Sequence, residues 1–517
     1  MMSTRVSEPG LRIELADEAA SEQLAASLAM LAGKGDLIAL EGDLGTGKTT
    51  IARSFIRALA DNPELEVPSP TFTLVQTYDV AGSSVAHMDF YRLEEPAEIN
   101  ELGIDEALDA GPVIVEWPSQ AAGLLPGGGL LIELKEANGG RSAHLSSSSE
   151  SWTARLEKLQ HIDNLLTASG WHIATRHKMP ADASSRRYER LSGGPDGASG
   201  LLMDMPSRPD GDPIRNGLPY SGIAHLAEDI RAVEAINRGL RAQGLSAPEI
   251  HAIDTRNGLA VIEDFGAVSF RSLLDDAEQF SLCLTGAVMM LANSAQNDWP
   301  DKIDLSSGET YQLSPYDMDA LLIEVELCLD WYWPQLTDTP LRSEVRDDFM
   351  AAWRDVLHQV QAGDPVWVLR DFHVDNLFWL PQRDGDRKIG LIDTQDCVLG
   401  HPAYDLASLL QDVRMTIPTD AEQDYYDMYV AARSAEDDSF DAASFQAAYA
   451  ILGAQRATKI LGIFARLNTR DQKPGYLRYL PRTSDVLEHN LRHPALMAVK
   501  AWFDTHLPRA LREGATS

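Results

Sequence analysis

Asp371 and Asn376 stand five positions apart in "VWVLRDFHVDNLFWL" (residues 366–380), inside an otherwise apolar run. Phosphoryl transfer to a hydroxyl needs a carboxylate that orients the acceptor O–H and takes its proton, and a nearby amide oxygen that ligates Mg2+. A second metal carboxylate must follow on a later strand. "KIGLIDTQD" provides Asp393 behind a buried run, 22 residues after Asp371. The dipeptide Arg-Asp alone says little; Asp-x4-Asn followed by an apolar run and Asp is far more specific. His373 and Asp375 lie between the two, and no CxxC or HExxH spacing makes them a transition-metal site. We read His373 as loop packing. Asp405 in "GHPAYDLASLL", at an expected helix start, reads as a brace for the catalytic loop.

A separate phosphate-binding pattern lies far upstream in "LIALEGDLGTGKTT" (residues 37–50), a buried strand, a glycine-rich turn and a helix start. Gly42, Gly45 and Gly47 let backbone N–H groups wrap phosphates at the helix N-terminus. Lys48 reaches the β/γ-phosphates, Thr49 ligates Mg2+, and Thr50 completes the run. Such a device needs an acidic side chain at a second strand end. Asp89 in "SVAHMDFYR" and Glu116 in "GPVIVEWP" are the candidates. Thr71 sits on a proline-bracketed loop, where a nucleotide switch places a threonine on the metal.

The elements that must position these groups follow from periodicity. Before residue 145, short apolar strands alternate with helical patterns, which predicts an α/β P-loop NTPase domain with a largely parallel sheet. Residues 146–155, around "HLSSSSES", read as a serine-rich linker. Residues 156–268 mix strands with a helix and read as the N-lobe of a bilobal α+β protein-kinase-like fold. Residues 269–517 read as its mostly helical C-lobe. "GLAVIEDFG" is the expected hinge, where the backbone of Glu263 to Phe265 meets adenine. The strand lysine of a protein kinase is missing, and Met203-Asp204 stands in its place. Ser184 and Ser185 are small enough for a loop over phosphates, and Arg186 or Arg187 is the expected substitute cation.

The chain has 517 residues, 44% apolar and 24% charged, enough for about three cores, and a net charge of −34. That charge, spread over both halves, disfavours direct strong binding to nucleic acid or to an anionic membrane. Cys283, Cys328 and Cys397 match no metal spacing and suit buried thiols in a reducing cytoplasm. No apolar leader opens the sequence, and "LCLTGAVMMLANSA" is too short to span a bilayer. The expected location is cytoplasmic.

The blocks "GDLGTGKTT", "SPTFTLVQTY", "HMDFYRL", "ELGIDEAL" and "VEWP" resemble, in that order, the TsaE ATPase family of tRNA threonylcarbamoyladenosine synthesis, over roughly residues 10–145. The resemblance implies ATP and Mg2+ at Lys48 and Thr49, metal or hydrolysis roles for Thr71, Asp89 and Glu116, and Trp117 beside the nucleotide. It also implies partners like TsaB and TsaD, which would make most of the tRNA contact. "DASSRRYERL", "LLMDMP", "LAVIEDFG", "DWYWP", "VLRDFHVDNLFWL" and "LIDTQDCVLGHPAYDLASLLQDVR" resemble the aminoglycoside phosphotransferase superfamily. More narrowly they are similar to the AmgK-type anomeric kinases of N-acetylmuramate and N-acetylglucosamine. That likeness implies Asp371 as catalytic base, Asn376 and Asp393 on Mg2+, and Glu324 and Asp330 in the amino-sugar pocket. Trp331, Tyr332 and Trp333 suit a sugar face and a helical core equally. Leu369 and Thr394 depart from the family pattern, which touches acceptor choice more than reaction type. Two alternatives stay open: a different acceptor, such as an aminoglycoside or choline-like alcohol, and a non-catalytic kinase-fold regulatory module.

Overall fold

The computed structural model describes residues 10–80, 83–121, 123–137, 139–179, 186–207, 211–361, 363–415 and 417–514. The chain forms two compact units, Met1–Asp204 with Ala252–Val261, and Met205–His251 with Ile262–Ser517.

The first unit begins with β1 (Leu11–Leu15), α1 (Glu18–Leu31), β2 (Leu37–Gly42), α2 (Lys48–Leu59), β3 (Val75–Val80), β4 (Ser83–Asp89), α3 (Ile104–Ala110), β5 (Val113–Glu116), β6 (Leu130–Ala137) and β7 (Gly140–Ser146). Seven strands make one sheet in the order β1-β7-β6-β2-β5-β4-β3. The middle pairings β6-β2, β2-β5 and β5-β4 are parallel, and the pairings toward both edges are antiparallel. The expected parallel sheet is therefore mixed. The strands β1, at the edge, and β7, which pairs with it, lie outside the apolar runs that announced the others, because β7 mixes Arg141, Ser142 and His144 with its apolar residues. Register pairs Leu40 with Glu116 and Asp89 with Glu116. The phosphate loop and both acidic candidates thus share the carboxyl edge of the parallel strands, where ligands of open α/β sheets bind.

The stretch expected as a linker is a strand end, a three-residue turn and the first turn of α4 (Glu150–Ala168). This helix belongs to two cores. Trp152, Leu156 and Leu159 pack with the seven-stranded sheet and α1, whereas Ile162, Leu165 and Leu166 pack with Leu191, Leu202, Leu259 and Val261. The latter four lie on a second sheet of β8 (Thr175–Lys178), β9 (Arg187–Ser192), β10 (Gly200–Asp204), β11 (Ile250–Asp254) and β12 (Leu259–Glu263), ordered β11-β12-β10-β9-β8. Arg176 of β8 donates to Ser27 Oγ of α1 at 3.0 Å and is held by Glu189. The P-loop sheet and the N-lobe sheet are therefore joined by a helix that both bury. Trp152, 1% exposed, is the largest side chain at that joint. Trp152→Ala should cost about 3–5 kcal/mol by emptying its site. Denaturant unfolding should show both sheets of this unit losing stability together; loss confined to one sheet would contradict a shared helix.

The second unit contains α5 (Tyr220–Ile223), α6 (Ile230–Ala242), α7 (Ala277–Ser294), β13 (Lys302–Asp304), β14 (Thr310–Gln312) and α8 (Met318–Leu327). A π turn (Cys328–Tyr332), α9 (Trp333–Leu336) and α10 (Ser343–Leu357) follow. Then come β15 (Val366–Val368), β16 (Leu377–Trp379), β17 (Ile389–Leu391), β18 (Val398–Gly400), α11 (Ala403–Leu410), α12 (Thr419–Glu436), α13 (Ala442–Thr469), α14 (Leu480–Asn490), α15 (Met497–His506) and α16 (Arg509–Gly514). One large core runs through these helices. The apolar α7 is a core helix, as its composition predicts, and among the described residues no helix is long and apolar enough to cross a membrane. The small pairs β15–β18 and β16–β17 bracket the Asp371 loop.

Candidate active sites

The P-loop of the first unit is folded around positive φ at Gly42, Gly45 and Gly47 (151°, 85° and 98°). A side chain at Gly42 would meet the Leu134 carbonyl at 2.6 Å, and one at Gly47 the Arg141 guanidinium at 2.9 Å. Lys48, the first residue of α2, is 4% exposed, and its Nζ donates to the carbonyls of Gly42 (2.7 Å) and Asp43 (2.9 Å). The same ammonium lies 3.6 Å from the centre of the Trp117 ring. Burial pushes the Lys48 pKa down, against the opposing charges of Glu116, Glu41, Asp89 and Asp43. A nucleotide phosphate would give this desolvated ammonium a full charge in exchange for two carbonyl dipoles.

Thr49 donates to Glu116 at 2.9 Å, and His87, itself fully buried, holds the other Glu116 oxygen at 3.0 Å. Thr71 and Ser69 both donate to one Asp89 oxygen, at 2.7 and 2.8 Å, while the Tyr91 N–H caps the other. The expected residues Lys48, Thr49, Thr71, Asp89, Glu116 and Trp117 are thus brought together, and Thr50 lies in the first turn of α2. His87, Ser69 and Arg141 escaped the sequence reading. Arg141 reaches the P-loop from β7, its Nη2 3.5 Å from the Gly45 carbonyl. A lone arginine after a Gly-Gly turn has no sequence signal for that role.

In the second unit the chain turns at Arg370, whose φ of 66° is left-handed for a non-glycine residue, and Asp393 has φ 58°. Such strain is retained where surrounding structure enforces it. Asp405 enforces it here: its carboxylate accepts the N–H groups of Leu369 (2.7 Å) and Arg370 (3.0 Å). Burial raises the Asp405 pKa to about 7, although those two N–H groups and Arg456 favour its anion. This is the brace expected of Asp405. Asn376 donates its side-chain amide to the Asp371 carbonyl at 3.1 Å, which orients the amide and leaves its oxygen to a cation. The Asn376 backbone carbonyl accepts the Ile392 N–H at 3.1 Å, which sets Asp393 next along the β17 end. Burial would raise the Asp371 pKa, yet His373, Lys459, Arg456 and Arg370 together hold its carboxyl below the ordinary value. His373, 6% exposed, is pushed toward its neutral form by burial and Arg414, in keeping with a packing role.

Other expected residues fall elsewhere. Glu324 is fully buried and takes Arg370, Lys459 Nζ (2.7 Å), Tyr316 and Gln455 Nε2 (2.9 Å), so it has no surface for a sugar. Its pKa falls to about 2, because Lys459 and Arg370 outweigh desolvation. Glu324 holds cations in place instead. Glu324→Gln should leave Arg370 and Lys459 uncompensated and cost about 3–5 kcal/mol. The Glu324 pKa is depressed in the folded state, so its stabilisation is present above about 4.5 and fades as pH falls toward about 2. Acid unfolding followed by circular dichroism should show that component in wild type and not in the variant. Asp330 pairs with Arg346 at 2.5 Å on a half-exposed surface. Of the neighbouring aromatics, Tyr332 is core and Trp333 packs toward Trp502, which favours the core role over a sugar platform. Glu263 ends β12 with its carboxylate on Arg383 and Arg241, and Phe265 packs on Phe378, with ring centres 6.0 Å apart. Ser184 and Ser185 lie outside the described residues. Arg186 and Arg187 lead into β9. Asp204 pairs with Lys158 of α4 at 2.7 Å, so of the Met203-Asp204 pair the carboxylate faces the helix and Met203 the opposite side of the sheet. Cys283, Cys328 and Cys397 are free and buried.

The aminoglycoside-type family model described as "Phosphotransferase enzyme family" matches residues 178–448, more than half of the chain. The chain belongs to that phosphotransferase family. Its N-terminal residues 15–143 match the model "Threonylcarbamoyl adenosine biosynthesis protein TsaE". Over 66% of its length the chain is 37% identical to an N-acetylmuramate/N-acetylglucosamine kinase of Caulobacter vibrioides, 95% of which is covered. A kinase of the same name from Pseudomonas aeruginosa is 28% identical over 63% of the chain and 88% of that protein. The N-terminal part is 40% identical to a tRNA threonylcarbamoyladenosine biosynthesis protein TsaE of Rickettsia felis, over 20% of the chain and 60% of that protein. This phosphotransferase is thus an enzyme of the kinase type, preceded by a domain of the TsaE ATPase family.

Proposed function

We propose that the chain is bifunctional: an ATPase that supports tRNA threonylcarbamoyladenosine synthesis, fused to an ATP-dependent kinase for the anomeric hydroxyl of N-acetylmuramate and N-acetylglucosamine. The observation that supports the kinase reading best is the strained Asp371 loop, pinned by Asp405 through two backbone N–H groups. A regulatory module would have no need to maintain that strain.

In the proposed reaction the sugar O1 hydroxyl donates to Asp371. As O1 bonds to the γ-phosphorus, the bond from that phosphorus to the β-bridging oxygen breaks, the proton passes to Asp371, and ADP leaves. The anomeric hydroxyl is more acidic than an ordinary alcohol, so a carboxylate kept ionised at neutral pH suffices as base. Among the described residues no group of three or more His, Cys, Asp or Glu gathers in metal-binding geometry. Mg2+ delivered with ATP needs only one or two protein oxygens, because it keeps waters and phosphate oxygens. The oriented Asn376 amide oxygen and Asp393 fit that requirement in the kinase, as Thr49 with Glu116 or Asp89 does in the P-loop. There the ion would neutralise charge on the transferring phosphates. In the N-terminal half Lys48 and the loop N–H groups bind the phosphates, and TsaB- and TsaD-like proteins are the proposed partners.

The direct test mixes the purified chain with ATP and a panel of amino sugars, aminoglycosides and choline, and looks for phosphorylated product by mass spectrometry. Sugar 1-phosphate from N-acetylmuramate or N-acetylglucosamine is the expected result. Product only from an aminoglycoside or choline would replace the proposed acceptor, and no product from any would leave the regulatory reading.

A further inference from the structure

We infer that Arg141 is a nucleotide clamp of the phosphate loop, holding the phosphates that ADP and ATP share rather than the one that is transferred. This rests on the ATPase reading of the N-terminal domain and adds to it a residue that sets nucleotide affinity.

Arg141 is the second residue of β7, at the turn of the β6–β7 hairpin. β6 runs parallel to β2 with Leu134 opposite Gly42, so the hairpin turn and the phosphate loop stand at the same edge of the sheet. Glu136 of β6 lies directly opposite Arg141, and cross-strand neighbours of opposite charge attract. Yet the half-buried Arg141 forms no ion pair with any described residue. Its side chain runs instead to the loop, where Nη2 is 3.5 Å from the Gly45 carbonyl. A Cβ on Gly47 would stand 2.9 Å from Nη1 and 3.3 Å from Cζ, so the guanidinium lies against the glycine that caps α2. One carbonyl at 3.5 Å uses little of a group with five N–H donors in a planar fork, and the rest are open to a ligand.

Strand order decides which part of the nucleotide the arginine meets. β5 and β4 flank β2 on one side, and β6 and β7 on the other. Glu116 and Asp89 end β5 and β4, and Thr49 donates to Glu116 at 2.9 Å, so the metal and the transferring phosphoryl belong on that acidic flank. Arg141 approaches from the opposite flank, across Gly45 and Gly47. The phosphates nearer the nucleoside are therefore the ones within its reach, and a guanidinium meets phosphate oxygens bidentately. In a chain of net charge −34, a second cation beside Lys48 also offsets the repulsion that a polyphosphate meets at this acidic edge.

The test titrates ADP and ATP calorimetrically into the full chain as wild type, Lys48→Ala, Arg141→Gln and Arg141→Lys. The binding that Lys48→Ala removes belongs to the phosphate loop, which separates it from the kinase site. Arg141→Gln should weaken that component about tenfold or more, by similar factors for ADP and ATP. At saturating ATP, kcat of the Lys48-dependent hydrolysis should change less than about threefold. Arg141→Lys should keep part of the affinity, because it keeps the charge and loses the fork. Unchanged affinity for ADP in Arg141→Gln would overturn the inference. So would a collapse of kcat alone, which would put the arginine on the transferring phosphoryl. Equal losses in both variants with a lowered melting temperature would make Arg141 structural and overturn it likewise. Should Lys48→Ala remove no binding, the phosphate-loop reading itself fails and the clamp falls with it.

Discussion

Asp371→Ala should reduce phosphorylation of N-acetylmuramate and N-acetylglucosamine by about a thousandfold or more, within the range that a positioned general base contributes. Asp371 is the carboxylate on the strained loop, and Lys459, Arg456 and Arg370 favour its ionised form. The loop itself is held by backbone atoms to Asp405, so removing the Asp371 side chain should leave the loop and the fold intact. The expected pattern is therefore a collapse of kcat with an unchanged melting temperature and an unchanged KM for ATP. Quench-flow or coupled-assay rates on the full chain would read it. Residual activity within tenfold of wild type would remove Asp371 from the role of base. ATP hydrolysis by the N-terminal half should be unaffected by this substitution.

Lys48→Ala makes the converse prediction. The ammonium sits 4% exposed between two loop carbonyls and the Trp117 face, with its pKa pushed down by burial. Its loss deletes a preorganised positive charge from the phosphate loop, an effect of about a hundredfold or more on ATP hydrolysis. Support of threonylcarbamoylation by added TsaB- and TsaD-like proteins should fall with it, while sugar phosphorylation stays at the wild-type rate. A parallel fall in sugar phosphorylation would show that the two nucleotide sites are linked. The helix α4 offers a physical route for such a link, since its two halves lie in the cores of the P-loop sheet and the N-lobe sheet.

The difference between the two sites shows why parts of each were legible and parts were not. The P-loop needs a strand, a glycine turn and a helix start in unbroken succession, and its chemistry follows from backbone geometry within fourteen residues. Its acidic partners were identifiable because strand ends follow short apolar runs, but which oxygen meets Thr49 depended on register across 67 residues. Glu324 shows the opposite case. A carboxylate in a helical pattern next to aromatics suits a sugar wall, yet folding closed the core over it and spent its oxygens on Arg370, Lys459, Tyr316 and Gln455.

By itself the sequence determined that two phosphate-handling devices are present, because Gly42 to Thr49 and Asp371 to Asn376 are short segments whose chemistry depends on local spacing. Only the tertiary structure decided what surrounds them. Asp405 reaches the catalytic loop from 36 residues away, and Arg141 reaches the P-loop from the far strand of a hairpin. Such contacts are a property of packing, which brings together side chains that no local rule relates. The same reason explains the serine run: read alone it is a flexible joint, but the apolar face of α4 that follows is buried by two sheets at once.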